Sequence, residues 1–206
     1  MSEKFFSPEI KKEVKFTEDE NWIPDNTEYH HEPRLAEESH ELVNQAIEVY
    51  QDDCEALDSK TPQRFLKSYG VGPCILLCIS NPERKQLGVI HFDANSDIPL
   101  LIDKLYEKIG INNLNEFKAE LIGGIEGMPG SEDLKSDLME FFDKNKIRIN
   151  IDNSMKLSVS DYENLYIEYS VPMLFYQSVI TDKITGKILS FNPYSDKIKK
   201  RKVKFT

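Results

Sequence analysis

The sequence predicts an α+β protein in which antiparallel β-sheets form a sandwich-like core with flanking helices. Apolar, β-branched segments occur in pairs separated by short turn sequences, as at residues 75–79 and 87–92, and such pairs are typical of hairpins. Amphipathic segments lie between the pairs, without the regular strand and helix alternation of a parallel sheet. With 206 residues, the chain can bury one sizeable core.

Composition divides the chain into three parts. Residues 1–34 mix charges with prolines and predict an extended or loosely packed arm, residues 35–196 predict a single domain, and residues 197–206 form a basic tail. Residues 1–60 hold 17 acidic and 6 basic side chains in a chain whose net charge is -10. This surplus argues against nucleic-acid binding, which requires a basic surface.

The sequence also indicates a compartment. No apolar segment reaches the roughly 20 residues that span a bilayer, and no signal sequence is visible, so we expect a soluble cytoplasmic protein with no membrane partner. Cys54, Cys74 and Cys78 are an odd number without C-x-x-C spacing, which favours a reducing compartment. The tail resembles a short nuclear-import signal, and one interpretation is a bacterial effector delivered to a host cell.

The first regular element is predicted as a helix within residues 35–57, because apolar positions recur with helical spacing. Cys54 would then belong to the core face of that helix. A second helix is predicted from a cap at Ser96 and Asp97 to a stop at Gly110.

Further strands and a third helix are predicted in the second half of the chain. A strand at residues 117–122 runs into a tight turn at Gly123 and Gly124. A third helix begins at Ser131, and an alternating strand follows at residues 147–151. Residues 152–169 are polar and irregular, which predicts a surface excursion or a hairpin, and the last elements are paired strands at residues 171–180 and 187–191.

A cysteine and a histidine are predicted to meet on a central hairpin. Residues 81–84, Asn-Pro-Glu-Arg, have the composition of a four-residue turn. If Ser80 then faces Lys85, Cys74 faces His91, with Cβ atoms about 4.5 to 5.5 Å apart. A cysteine nucleophile needs such a base within reach.

These residues resemble the CheD-type chemoreceptor glutamine deamidases. That family has a Thr six residues before a nucleophilic Cys and a His seventeen residues after it. Here Ser68 holds the Thr position, Cys74 the Cys position in Gly-Val-Gly-Pro-Cys, and His91 the His position. Residues 119–124, Ala-Glu-Leu-Ile-Gly-Gly, are similar to that family's strand and Gly-Gly turn.

The eukaryotic-type protein N-terminal asparagine amidohydrolases show the same Cys-to-His spacing. His91-Phe-Asp93 is similar to their His-x-Asp, and residues 98–100 are similar to their helix start. Residues 171–176 and 185–189 resemble their final hairpin. The chain departs from the pattern at Pro73, which has no N–H, and it lacks the Asp-x-Gly-Gly signature of the CheD type.

The resemblance implies hydrolysis of a side-chain carboxamide of Gln or Asn in a protein substrate. Cys74 would attack as a thiolate, His91 would carry the proton, and Ser68 would orient the His91 ring. The Cys74 N–H would receive the oxyanion, on a turn that glycines permit. The residues expected to bind substrate are Gly72, Asp93, Gly123 and Gly124. No cofactor is implied.

No metal site is predicted, because His30, His31 and His40 lack a ligating spacing such as H-E-x-x-H. Two alternatives to a deamidase stay open. One is a non-catalytic protein-interaction module on the same fold, favoured by Pro73 and the acidic N-terminal third. The other is a Cys-His protease or transglutaminase-like enzyme.

Overall fold

The fold consists of two β-sheets and two helices within the residues that the computed structural model describes, 45–159 and 178–191. The four-stranded sheet has the order β1-β3-β8-β9 and the five-stranded sheet the order β2-β5-β4-β6-β7. The elements are β1 Ile47–Glu48, β2 Asp53–Leu57, β3 Phe65–Ser68, β4 Ile75–Asn81, β5 Gln86–Phe92, α1 Ile98–Ile109, β6 Lys118–Glu126, α2 Pro129–Lys144, β7 Ile151–Ser158, β8 Ser178–Asp182 and β9 Ile188–Phe191.

This architecture confirms the α+β prediction. The sheets are not purely antiparallel, however, because β1 pairs with β3 and β6 pairs with β7 in parallel. The predicted arm at 1–34 and tail at 197–206 lie outside the described residues. Neither of the two described helices is long and apolar enough to cross a membrane.

Two apolar clusters hold the layers together. One lies between the sheets and draws on both of them, with Leu66 and Val179 from the four-stranded sheet and Leu76 and Val89 from the five-stranded sheet. The other joins the opposite face of the five-stranded sheet to both helices, which contribute residues such as Leu105. The five-stranded sheet is therefore covered on both faces, as its nearly continuous apolar strands require.

The helix termini follow local sequence. Asp97 accepts a hydrogen bond from Leu100 N and caps α1, and Gly110 ends it in the left-handed conformation with φ 75°. Both predicted boundaries of this helix are confirmed. α2 begins at Pro129, two residues before the predicted Ser131, because proline is favoured in the first helical turn.

The predicted register of the hairpin is wrong. Asn81 pairs with Gln86, and His91 pairs with Leu76, so the loop is residues 82–85 and Cys74 does not face His91. Lys85 adopts a left-handed φ of 52°, which moves the loop by one residue along the chain. Cys74 precedes β4 instead of lying within the ladder.

The helix predicted within residues 35–57 is also wrong for its described part, which contains β1 and β2. Cys54 belongs to the cluster on the helix side of the sheet and Leu57 to the cluster between the sheets. Residues three apart share a helix face but occupy opposite faces of a strand. The left-handed Asp52, with φ 58°, separates the two strands.

Two further expectations need correction. Gly123 and Gly124 do not form a turn between elements but lie inside β6, where the register with β7 shifts. Residues 151–158 form β7. The strand predicted at residues 147–151 is therefore wrong except for its last residue, and the first part of the segment 152–169, predicted to be irregular, is a strand. The final hairpin is confirmed in β8 and β9, whereas residues 171–177 lie outside the described residues.

Candidate active site

A polar contact crosses the apolar interior between the two sheets. Ser68 ends β3 in one sheet and His91 lies near the end of β5 in the other, and Ser68 Oγ is 2.9 Å from His91 Nδ1. The two residues are 1% and 2% exposed. The contact between Ser68 and His91 that the resemblance implies is therefore present, although the cysteine that was expected to face His91 does not face it.

The carbonyl of Val49 decides which nitrogen of His91 carries the proton. Ser68 Oγ donates its only proton to Val49 O over 2.8 Å, so it can only accept from His91 Nδ1–H. Nε2 of the neutral ring then holds a lone pair. Nε2 is buried and has no hydrogen-bond partner, which leaves it free to accept a proton.

The loop that carries Cys74 is fixed through three consecutive carbonyls. Gly124 N donates to Gly72 O over 3.1 Å and to Cys74 O over 2.7 Å. Ser131 Oγ, at the start of α2, donates to Pro73 O over 2.8 Å. The loop is thereby attached to β6 on one side and to α2 on the other.

Gly123 is required by this attachment. Its φ is 98°, and a Cβ there would lie 2.4 Å from Cys74 O and 2.6 Å from a Val71 methyl. Gly123 and Gly124 support the loop of Cys74, whereas their expected role in substrate binding stays a prediction. Gly72 uses its N–H for a bond to Gly70 O and its carbonyl for the bond to Gly124.

Cys74 is the most accessible of the three described cysteines. It is 7% exposed, whereas Cys54 and Cys78 are 0% exposed. The β4 and β5 register places Cys74 two residues before the partner of His91, in the loop that precedes β4. No hydrogen bond joins the Cys74 thiol to the His91 ring in this structure.

Burial keeps both reactive groups neutral. It lowers the pKa of His91 to about 4, against an opposing effect of the Asp93 charge and the Val49 carbonyl. Burial, together with the smaller effect of the Asp93 charge, raises the pKa of Cys74 to about 11. The free protein near pH 7 therefore holds a thiol and an imidazole instead of the thiolate that the sequence led us to expect.

Asp93 lies just beyond β5 in a hydrogen-bonded turn. Its carboxylate accepts from Gln51 Nε2 over 2.8 Å and from Asn95 N over 2.7 Å. Partial burial opposes its charge, but these bonds and one from Ser96 outweigh that effect and hold the pKa of Asp93 below its usual value. Asp93 thus places a fixed negative charge near Cys74 and His91.

Sequence reasoning missed two contributors. The Val49 carbonyl precedes the predicted site by about 20 residues, and Ser131 was expected only as the start of a helix. Neither could be found from spacing, because main-chain carbonyls carry no sequence signature and Ser131 reaches Pro73 only in the folded chain. Among the described residues, no group of three or more His, Cys, Asp or Glu side chains could hold a metal ion. His30, His31 and His40 lie outside them.

Comparison with models of known protein families finds no family that matches this chain, and comparison with curated proteins finds no matching sequence.

We expect Gly123→Ala to destabilise the protein by about 3 kcal/mol, because the left-handed backbone is strained for alanine and the new Cβ meets a main-chain oxygen. The matched control is Gly130→Ala, where the nearest atom to the new Cβ is 3.8 Å away and the change should be neutral or slightly stabilising. Urea unfolding measures both. Equal stability of the two variants would contradict the assigned role of Gly123.

The buried His91 should make stability depend on pH. Its pKa is about 4 in the folded protein against an ordinary 6.5, so the unfolded chain binds more protons between these values. The stabilisation is complete above about pH 6.5 and is lost as the pH falls to about 4, by roughly 3 kcal/mol.

The control for this prediction is His91→Gln, which removes the titrating group and keeps a polar side chain. Unfolding free energy measured from pH 7 to pH 4 should fall more steeply in the wild type. Parallel curves for the two proteins would show that His91 is not held neutral by burial.

Proposed function

We propose that this chain is a cysteine-dependent amidohydrolase that deamidates a Gln or Asn side chain of a protein substrate. The observation that carries the proposal is the Ser68 to His91 contact of 2.9 Å. This contact leaves Nε2 as an unpaired base in a buried position. Cys74 lies two residues before the partner of His91, in a loop that three bonds from Gly124 and Ser131 support. A buried nitrogen without a partner is costly to folding, so such a group suggests a functional role.

The proposed reaction begins with a neutral pair. As the Cys74 sulfur attacks the amide carbon, its proton passes to His91 Nε2, and the carbonyl oxygen becomes an oxyanion. His91 then gives the proton to the departing nitrogen, which leaves as ammonia, and a thioester remains. Water attacks the thioester with His91 as base, which releases the carboxylic acid and restores the thiol. No cofactor takes part.

Ser68 acts on this reaction through the His91 ring. The bond between Nδ1–H and Ser68 Oγ holds the ring in the tautomer that presents Nε2 as the acceptor. Asp93 opposes a stable thiolate before substrate arrives. Proton transfer is then coupled to attack on the amide, which limits side reactions of the thiol in the free enzyme.

The three described cysteines are free, which supports action in a reducing compartment. The residues that would direct the enzyme to a host cell or its nucleus lie in the tail at 197–206, and this part of the proposal rests on sequence alone.

The decisive test is mass spectrometry of candidate substrate proteins after incubation with wild type, Cys74→Ala and Cys54→Ala. We expect a gain of about 1 Da per site with wild type and Cys54→Ala and no gain with Cys74→Ala, because only the first two retain the nucleophile. Cys54 is a matched control because it is a buried cysteine on the helix side of the sheet.

Other outcomes of this test redirect the assignment. Cleavage of the substrate would favour a protease, and crosslinking would favour a transglutaminase-like enzyme. Stable binding without any covalent change would favour the non-catalytic interaction module.

Variants of Ser68 test whether the orientation of the His91 ring contributes to the rate, because they leave His91 itself in place. Ser68→Ala should lower kcat about tenfold, the rate equivalent of one hydrogen bond of about 1.4 kcal/mol. Ser68→Thr keeps the hydroxyl and suits a strand, so it should retain most of the activity. Steady-state rates on an identified substrate measure both, and equal losses in the two variants would count against the orienting role.

A further inference from the structure

Ser131 is a buried hydroxyl directed at the cysteine loop from another element. It lies in the first turn of α2, is 0% exposed, and donates to Pro73 O over 2.8 Å. Among the hydrogen bonds of the described residues, Ser131 alone joins α2 to this loop, so its hydroxyl is the polar link between them. A fully buried serine whose bond reaches a carbonyl 58 positions away fixes tertiary geometry, because it cannot act as a local cap.

The bond constrains the direction of the next main-chain N–H. The Pro73–Cys74 peptide is trans, so the Cys74 N–H points opposite to the Pro73 carbonyl. Since Ser131 draws that carbonyl toward α2, the Cys74 N–H is turned away from α2. Gly124 fixes the carbonyls on both sides of this peptide, at Gly72 and Cys74, which prevents the peptide from rotating.

The Cys74 N–H is the main-chain donor nearest to the sulfur in sequence. Gly72 N already donates to Gly70 O, and Pro73 has no N–H. An oxyanion formed on a carbon bound to the Cys74 sulfur requires a donor held in place before the reaction.

We propose that Ser131 is a positioning residue that aims the Cys74 N–H at the oxyanion of the reaction. This inference rests on the proposed function, since it assumes that Cys74 is the nucleophile. Ser131 touches no reacting atom and acts through the Pro73 carbonyl. The hydroxyl compensates for Pro73, because this residue has no N–H and the orientation of the adjacent Cys74 N–H becomes more important.

Two small reagents distinguish positioning of the Cys74 N–H from reactivity of the Cys74 thiol, and neither requires that the substrate be known. Acylation by p-nitrophenyl acetate passes through an oxyanion at the carbon that the sulfur attacks, whereas alkylation by iodoacetamide forms no oxyanion. We expect Ser131→Ala to slow acylation of Cys74 about tenfold and to change its alkylation by less than twofold. Release of p-nitrophenolate and mass spectrometry of the Cys74 peptide measure the two rates.

Thr181→Val is the matched control. It removes a buried hydroxyl that donates to the main-chain carbonyl of Leu66 and keeps the side-chain shape. Both residues lie in the four-stranded sheet, which does not carry Cys74. Both rates should remain at the wild-type value in this variant. Thermal unfolding of both variants establishes that they are folded at the assay temperature.

The outcomes distinguish this inference from the proposed function. If Ser131→Ala slows both reactions equally, or slows neither, the positioning role is overturned while Cys74 remains the nucleophile. If wild type reacts with p-nitrophenyl acetate no faster than Cys74→Ala, the proposed function fails, and this inference fails with it.

Discussion

The hydrogen bond between Ser68 and His91 is the constraint on which the site depends, because it is a polar link in an otherwise apolar space between two sheets. Burying an imidazole and a hydroxyl there is costly unless both are satisfied. The Val49 carbonyl completes the link by accepting the only hydroxyl proton, and this one acceptor fixes the proton on Nδ1 of His91. The orientation of the ring therefore follows from how the two sheets pack. A change that slid one sheet over the other would break the contact before it disturbed either sheet internally.

The loop that carries Cys74 is held mostly by main-chain hydrogen bonds, in contrast to the side-chain contact at His91. Gly124 uses one N–H for two carbonyls of the loop, and Gly123 makes room for the carbonyl of Cys74. A strand interior normally loses stability from glycine. Here Gly123 makes room for the loop, because a Cβ there would lie 2.4 Å from the main-chain oxygen of Cys74. A Cβ at Gly124 would instead meet Met155 Sδ at 2.5 Å, and the residue has a left-handed φ of 76°. The close approach of the loop to β6 therefore depends on Gly123 for space and on the Gly124 N–H for hydrogen bonds.

Sequence reasoning succeeded where local chemistry decides structure and failed where tertiary contacts do. The α1 boundaries follow from Asp97 and Gly110, whose effects extend only a few residues. The hairpin loop was misplaced by one residue because the left-handed Lys85 has no compositional signature. Each residue of β4 therefore pairs with a β5 residue two positions away from the predicted one. A shift of two positions leaves every side chain on the predicted face of the sheet. Gly123 and Gly124 were taken for a turn because nothing in a single sequence shows which distant carbonyl a glycine admits. The resemblance at Ser68 and His91 was informative because Ser68 ends β3 and His91 lies one residue before the end of β5, and the fold brings these two ends together.

The electrostatics of the site favour concerted proton transfer over a stored ion pair. Burial disfavours both charged forms, so the pKa of His91 falls and that of Cys74 rises. Asp93 would stabilise an imidazolium but destabilises a thiolate, and it therefore cannot favour separation of charge within the pair as a whole. In the proposed reaction, a substrate carboxamide would change this balance, because the carbonyl oxygen would take up the negative charge and the sulfur would not have to hold it alone. The oxygen would lie where a main-chain N–H could donate to it. Activation of the thiol would then depend on the presence of an amide, a form of selectivity that a permanently ionised cysteine does not provide.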